Sequence, residues 1–113
     1  MPNCHCRDCQ LASGSAYAAL LFVPRDAVRM RGEPRYHEIV GDSGNAIERG
    51  FCAACGSPVA LKLERVPHAL AFQAASLYDP TIYRPAMDIF TSSAQPWDHM
   101  DPTIQKHTHE SPL

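Results

Sequence analysis

The chain has 113 residues, a length that fits one domain, and ten Lys and Arg against twelve Asp and Glu give a net charge of −2. The basic residues are scattered and form no stripe that could bind the phosphates of a nucleic-acid backbone, so no nucleic-acid partner is expected. No apolar run approaches the roughly 18 residues of a membrane span, and no secretory leader precedes the first cysteine, so no membrane association is expected.

The predicted elements are short strands between turns. The apolar run AYAALLFV at 16–23, closed by a proline, predicts a buried strand, and 25–30 predicts one helical turn or a short strand. The segment GDSGN at 41–45 is typical of a turn. Further strands are expected at 35–40, 46–51, 58–63, 68–75 and 87–91, and the chain from residue 92 is expected to be extended, with 98–113 as its tail.

This pattern predicts a single all-β domain over residues 1–113, a small antiparallel fold with little helix. Ten prolines and six glycines interrupt the chain often and disfavour long helices. A domain of this size gains stability from a metal, so we expect the fold to be built around zinc.

Five cysteines form two clusters, CHCRDC at 4–9 and CAACG at 52–56. Thiolates at C-x-C and C-x-x-C spacing converge on one ion, and zinc is the usual occupant. An odd number of cysteines in tight clusters argues against a disulfide framework, and free thiolates fit the reducing cytoplasm. The sequence therefore predicts a cytoplasmic metal-binding protein.

Spacing alone leaves two ligand sets open. In the first, Cys4, Cys6 and Cys9 bind one zinc ion and leave a fourth position for a substrate, where a thiol would lose its proton and become a nucleophile. In the second, Cys6 and Cys9 share a closed structural site with the two cysteines of the second cluster, and Cys4 is spare.

Several motifs resemble one known family, the glutathione-dependent formaldehyde-activating enzymes, which also include centromere protein V. The resemblance covers nearly the whole chain from Cys4 to Trp97, with its motifs in order. The matching segments are CHCRDCQ at 4–10, SGS at 13–15, FCAACGSP at 51–58, AASLYDP at 74–80, DIF at 88–90 and PW at 96–97.

The resemblance implies a β-tent fold with two zinc sites, and for this chain we expect one or two zinc ions. It implies a catalytic zinc on Cys4, Cys6 and Cys9, and a structural zinc to which Cys52 and Cys55 contribute half of the ligands. The implied reaction adds glutathione to formaldehyde, which is carbon–sulfur lyase chemistry. The expected partners are therefore a small-molecule thiol, glutathione, and a small aldehyde.

One part of the family pattern has no counterpart in this sequence. Family members begin with a strand carrying G-x-C-x-C-G, which completes the structural zinc, whereas this sequence begins three residues before Cys4. We expect the second site to be empty or to borrow ligands, and His107 and His109 have the spacing to replace a C-x-C pair. A missing strand would expose a sheet edge, which a homodimer or the C-terminal tail would cover.

Residues around the first cluster have competing roles. Arg7 is a candidate to bind a glutathione carboxylate or is a surface charge. Ser13 and Ser15 are candidates to donate hydrogen bonds to thiolates or substrate, or they form a turn. His5 has the chemistry of a general acid or base, but neighbours of ligands in C-x-C segments usually point away, so we expect it to face solvent.

Two non-enzymatic alternatives remain at this stage. One is a zinc-stabilised module that binds a protein partner through a closed four-ligand site. The other is a folded but inactive paralogue. The role of Cys4 distinguishes the enzyme hypothesis from the closed-module hypothesis, because only an open three-cysteine site requires Cys4 as a ligand.

Overall fold

A computed structural model describes residues 1–41 and 44–110, and this part is mostly strand with one short α-helix. The predicted sheet-rich fold with little helix is thereby confirmed. Of the predicted turn at 41–45, positions 42 and 43 lie outside the described residues. The strands are β1 (Pro2–Cys4), β2 (Ala18–Pro24), β3 (Arg35–Val40), β4 (Ala46–Phe51), β5 (Pro58–Leu63), β6 (Ala69–Gln73), β7 (Met87–Ile89) and β8 (Gln105–Lys106), and the helix is α1 (Arg7–Ser13).

The predicted strand positions agree with the structure. The bounds of β3, β4 and β5 are those expected from the sequence, while the ends of β2, β6 and β7 differ from the expected ones by at most two residues. The segment 25–30 contains a 3₁₀ turn at Arg25–Ala27. The strands β1 and β8 and the helix α1 were not predicted individually.

The chain divides into two units, and residues 1–20 together with those from 81 onward form the first. Its strand order is β2-β1-β7-β8. The central strand β1 runs antiparallel to β2, with Asn3 opposite Ala19, and parallel to β7, with Asn3 opposite Asp88. The pair β7 and β8 is also parallel, so the sheet, expected to be antiparallel, contains two parallel pairs as well. The long connection between β1 and β7 makes parallel pairing accessible.

The second unit comprises residues 21–80 and contains an antiparallel meander. Its strand order is β3-β4-β5-β6, with the second half of β2 next to β6. The core consists of small and branched apolar side chains on β5, β6 and the following turn, and the second cysteine cluster lies in the connection between β4 and β5. The buried residues of this core are Ala60, Leu61, Leu63, Ala69, Leu70, Ala71 and Ala74.

In the part of the chain that the structure describes, no helix is long and apolar enough to cross a membrane. The single helix α1 has seven residues. The assignment of one domain to residues 1–113 stays a prediction.

Candidate metal centre

The first cysteine cluster lies where β1 passes into α1. Cys4 is the last residue of β1, Cys6 caps the N-terminus of α1, and Cys9 lies in its first turn. Side chains two positions apart in an extended chain point to the same face, and the helical turn brings the third thiol back towards the first two. The three Sγ atoms lie within 4.8 Å of one another.

This arrangement fits a zinc ion. Tetrahedral zinc with Zn–S bonds of about 2.3 Å separates its sulfurs by about 3.8 Å, so only a small inward movement of the thiols is required. The donors are soft thiolates, which zinc prefers. Among residues 1–41 and 44–110, no second group of three His, Cys, Asp or Glu ligand atoms lies as close together.

The electrostatics of the cluster also favour a cation. The hydrogen bonds that Cys4 exchanges with Cys6 and Cys9, together with its burial, raise the pKa of the Cys4 thiol well above its usual range. Without metal, Cys4 therefore keeps its proton, since adjacent thiolates would repel one another. A divalent ion reverses this preference by binding the thiolate form.

Helix α1, which positions Cys6 and Cys9, is capped by hydrogen bonds at both ends. At its start, the Cys9 backbone N–H donates a hydrogen bond to Cys6 Sγ at 3.3 Å. At its end, Gly14 adopts a left-handed conformation with φ of 65° and donates its N–H to Gln10 O at 2.8 Å. Both are helix-capping interactions, the second of the type that glycine favours.

His5 is buried, with 0 % of its surface exposed, so the expectation that it faces solvent is wrong. Its Nε2 donates a hydrogen bond to Asp88 Oδ1 at 2.7 Å, and its Nδ1 lies 2.7 Å from Asp98 Oδ2. The ring does point away from the cysteines, as alternation requires, but that face is covered by protein. Tyr17 also packs there, with its ring centroid 5.2 Å from that of His5.

Gln10 links the cluster to the segment after β7. Its Nε2 donates to His5 O at 2.7 Å and to Ser93 O at 2.9 Å. Its Oε1 accepts from Arg7 Nη1 at 2.7 Å and from Gln95 Nε2 at 2.9 Å. The side chain is thus fully paired in a buried position. Sequence reasoning gave Gln10 no role, although it belongs to the CHCRDCQ motif.

The other candidate residues lie on or just after α1. Arg7 is exposed, and its guanidinium donates the hydrogen bond to Gln10 described above. The Ser13 hydroxyl lies 3.4 Å from Gln10 O and 3.3 Å from Tyr17 O, and it accepts the Ser15 N–H at 3.2 Å. The serines therefore shape the turn that follows α1. Their role in binding glutathione stays a prediction, as does that of Arg7.

The second cluster forms a tight turn in the other unit. Cys52 O accepts the Gly56 N–H at 2.7 Å, with Gly56 at φ 79°, and Cys52 N–H donates to Ser57 O at 2.9 Å. Cys55 is exposed. Hydrogen bonds from the Ser57 hydroxyl, 3.1 Å from Cys55 Sγ, and from the Ser57 N–H lower the pKa of Cys55. Within the described residues of this unit, no third metal ligand lies close to the pair.

Comparison with known proteins places the chain in a family. A search of curated proteins gives no match. Residues 1–93, which include both cysteine clusters, match the model of the family described as glutathione-dependent formaldehyde-activating enzyme. The motifs around Cys4 and Cys52 and this match agree, and the chain belongs to the glutathione-dependent formaldehyde-activating enzyme family.

Proposed function

We propose that this chain is a zinc-dependent enzyme that adds a thiol, glutathione, to formaldehyde or a related small aldehyde. The observation that supports the proposal best is the convergence of three cysteine sulfurs within 4.8 Å in a member of this family. Three ligands leave a coordination position that a closed four-cysteine site lacks.

Cys4, Cys6 and Cys9 would hold the metal. When bound, zinc lowers the pKa of a thiol in its coordination sphere and acts as a Lewis acid. The chain itself contributes three converging cysteine side chains, two of them buried, and the Cys9 N–H and the caps of α1 keep them in place.

The proposed reaction forms one bond between the thiol sulfur and the carbonyl carbon. The electron pair of the carbonyl π bond moves to the oxygen, which takes up a proton, and the thiol has lost one, so atoms and charge balance. The product is an S-hydroxymethyl thiol, and the reverse reaction is the lyase direction. His5 is not assigned as the acid or base, since it is buried and held by Asp88 and Asp98.

Substrate binding is proposed for the exposed rim of α1. The Arg7 guanidinium is solvent-accessible and has further donors beyond the Nη1 that bonds Gln10, so it can pair with a carboxylate of glutathione. Ser13 and Ser15 lie at the opposite end of the helix, in the turn that would line the same rim. Their hydroxyls are proposed to donate hydrogen bonds to the bound thiol.

A second zinc ion is proposed on Cys52 and Cys55. The C-x-x-C turn is of the kind that binds zinc, and the lowered pKa of Cys55 favours the thiolate. Two further ligands are needed, and His107 and His109 remain the candidates from the sequence. The alternative in which Cys52 and Cys55 share an ion with Cys6 and Cys9 also stays a prediction.

The test measures, by exchange NMR, the rate at which glutathione and labelled formaldehyde form their adduct. This rate is compared with the rate of the uncatalysed reaction. We expect catalysis that is lost on zinc removal, restored by zinc, and abolished by Cys6→Ser but not by Cys55→Ser. A chain that retains zinc yet shows no rate above background with any small aldehyde would contradict the enzyme and favour a non-catalytic zinc module.

A further inference from the structure

We propose that His5 is a positioning residue of the metal centre, held by Asp88 and Asp98 so that it fixes the Cys4–Cys6 segment for zinc binding. The proposal rests on the proposed function only in taking Cys4, Cys6 and Cys9 as the zinc ligands. It concerns how this chain prepares the site rather than the reaction.

The side chain of His5 has a carboxylate beside each ring nitrogen and a hydrogen bond at Nε2. Asp88 and Asp98 each bring a carboxylate oxygen to 2.7 Å from a different ring nitrogen, and the three side chains are only 0 %, 1 % and 3 % exposed. Charged and polar groups buried this deeply are costly to leave unpaired, so the ring has little freedom to leave its two partners.

The backbone of His5 is held as well. Its N–H donates to Ile89 O at 3.0 Å, and its carbonyl accepts the Gln10 Nε2 hydrogen at 2.7 Å. The N–H, the carbonyl and Nε2 of the residue between the two ligands Cys4 and Cys6 are therefore hydrogen-bonded, and Nδ1 lies beside the Asp98 carboxylate. A segment fixed in this way can keep two thiolates close together although their charges repel.

Part of the support for His5 comes from the segment that follows β7. Asp98 belongs to that segment, and so does Lys106, whose Nζ lies 3.0 Å from the second carboxylate oxygen of Asp88. Both residues lie beyond the 1–93 range that matches the family model. We infer that in this chain the segment after β7 completes the metal centre from the face opposite to the thiols.

Zinc affinity tests the proposal without depending on catalysis. In Asp98→Asn and Asp88→Asn, which keep the side-chain shape, we expect zinc to bind about 10- to 100-fold more weakly in competition with a chromophoric chelator. The matched control is Asp101→Asn, an exposed carboxylate of the same segment, for which we expect the affinity of the unaltered chain.

A double variant separates positioning from general support of the fold. Because Asp98 is proposed to act through His5, the variant His5→Gln with Asp98→Asn should bind zinc no more weakly than His5→Gln alone. If the buried His5→Gln does not fold, the two aspartate variants still decide the matter. Unchanged zinc affinity in Asp98→Asn, with a lower free energy of unfolding of the metal-free chain, would overturn the positioning role. An unaltered chain that binds no zinc would instead overturn the proposed function.

Discussion

The imidazole of His5 donates a 2.7 Å hydrogen bond to Asp88, a residue 83 positions away in the chain. The register of the sheet explains the contact, because Asp88 lies opposite Asn3 in the parallel pair of β1 and β7, and Asn3 and His5 share a face. Cys4 points to the other face. The same short strand thus presents a metal ligand on one side and is anchored to protein on the other.

Replacing Arg7 by Ala should weaken glutathione binding. The lost charge-assisted hydrogen bond is worth about 1.5 kcal/mol, so we expect the KM for glutathione to rise roughly tenfold while kcat changes little. Initial rates over a range of glutathione concentrations measure this. Arg84→Ala, which removes an exposed arginine that does not belong to α1, is the control. An unchanged KM in Arg7→Ala would leave Arg7 as a surface charge.

Replacing Tyr83 by Phe should change the alkaline stability. Burial raises the pKa of Tyr83 above the usual 10.0. The contribution of the protonated phenol to the free energy of unfolding is therefore present below about pH 10 and is lost as the pH rises towards the folded-state pKa. The Tyr83 hydroxyl lies 2.8 Å from Pro2 O and from Asn3 Oδ1, which fastens β1.

At pH 7 the Tyr83→Phe variant should therefore be less stable than the unaltered chain by about 1 kcal/mol. At pH 11 the difference should shrink or reverse, because only the unaltered chain must keep a buried phenol protonated. Urea unfolding of both chains at the two pH values measures it. A difference that stays constant with pH would contradict the assignment.

Replacing Gly14 by Ala should destabilise the end of α1 through the backbone alone. Gly14 has φ of 65°, and a Cβ there would meet nothing within 4 Å, so strain rather than a clash sets the cost. We expect a loss of about 1 kcal/mol in the free energy of unfolding for Ala and a smaller loss for Asn, which tolerates this conformation. Equal stability of the Ala variant and the unaltered chain in urea would refute this.

Cys55 should be the most reactive thiol of the metal-free chain. It is exposed, and the hydrogen bonds from Ser57 lower its pKa and so favour the reactive thiolate, whereas Cys9 is buried. Mass spectrometry of peptides after brief alkylation should show Cys55 labelled first, and Ser57→Ala should slow that labelling. Ser92→Ala, an exposed serine in the other unit, should have no effect. Equal labelling of Cys55 and Cys9 would count against the lowered pKa.

Local patterns predicted the meander well. The bounds of β3, β4 and β5 follow from short strands between strong turn residues, all within neighbouring stretches of sequence. Metal-ligand spacing likewise identified Cys4, Cys6 and Cys9 as one of two possible ligand sets, because the geometry of C-x-C and C-x-x-C is local, and the structure brings these three sulfurs together.

Features that depend on distant residues could not be predicted. The seven residues of α1 span barely two turns, too few for a periodic signal, and its N-terminal cap is a cysteine rather than a usual capping residue. The burial of His5 depends on Asp88 and Asp98, which the fold brings together from the far end of the sequence. Parallel pairing of β1 with β7 is equally a matter of long-range topology.

The zinc content of Cys4→Ser beside that of the unaltered chain tests the central claim most directly. If Cys4, Cys6 and Cys9 form an open site, the variant purified with a mild chelator should contain about one zinc ion per chain less than the unaltered chain. If the variant retains all its zinc, Cys4 is not a ligand, the metal site is closed, and the proposed thiol-addition chemistry has no place to occur.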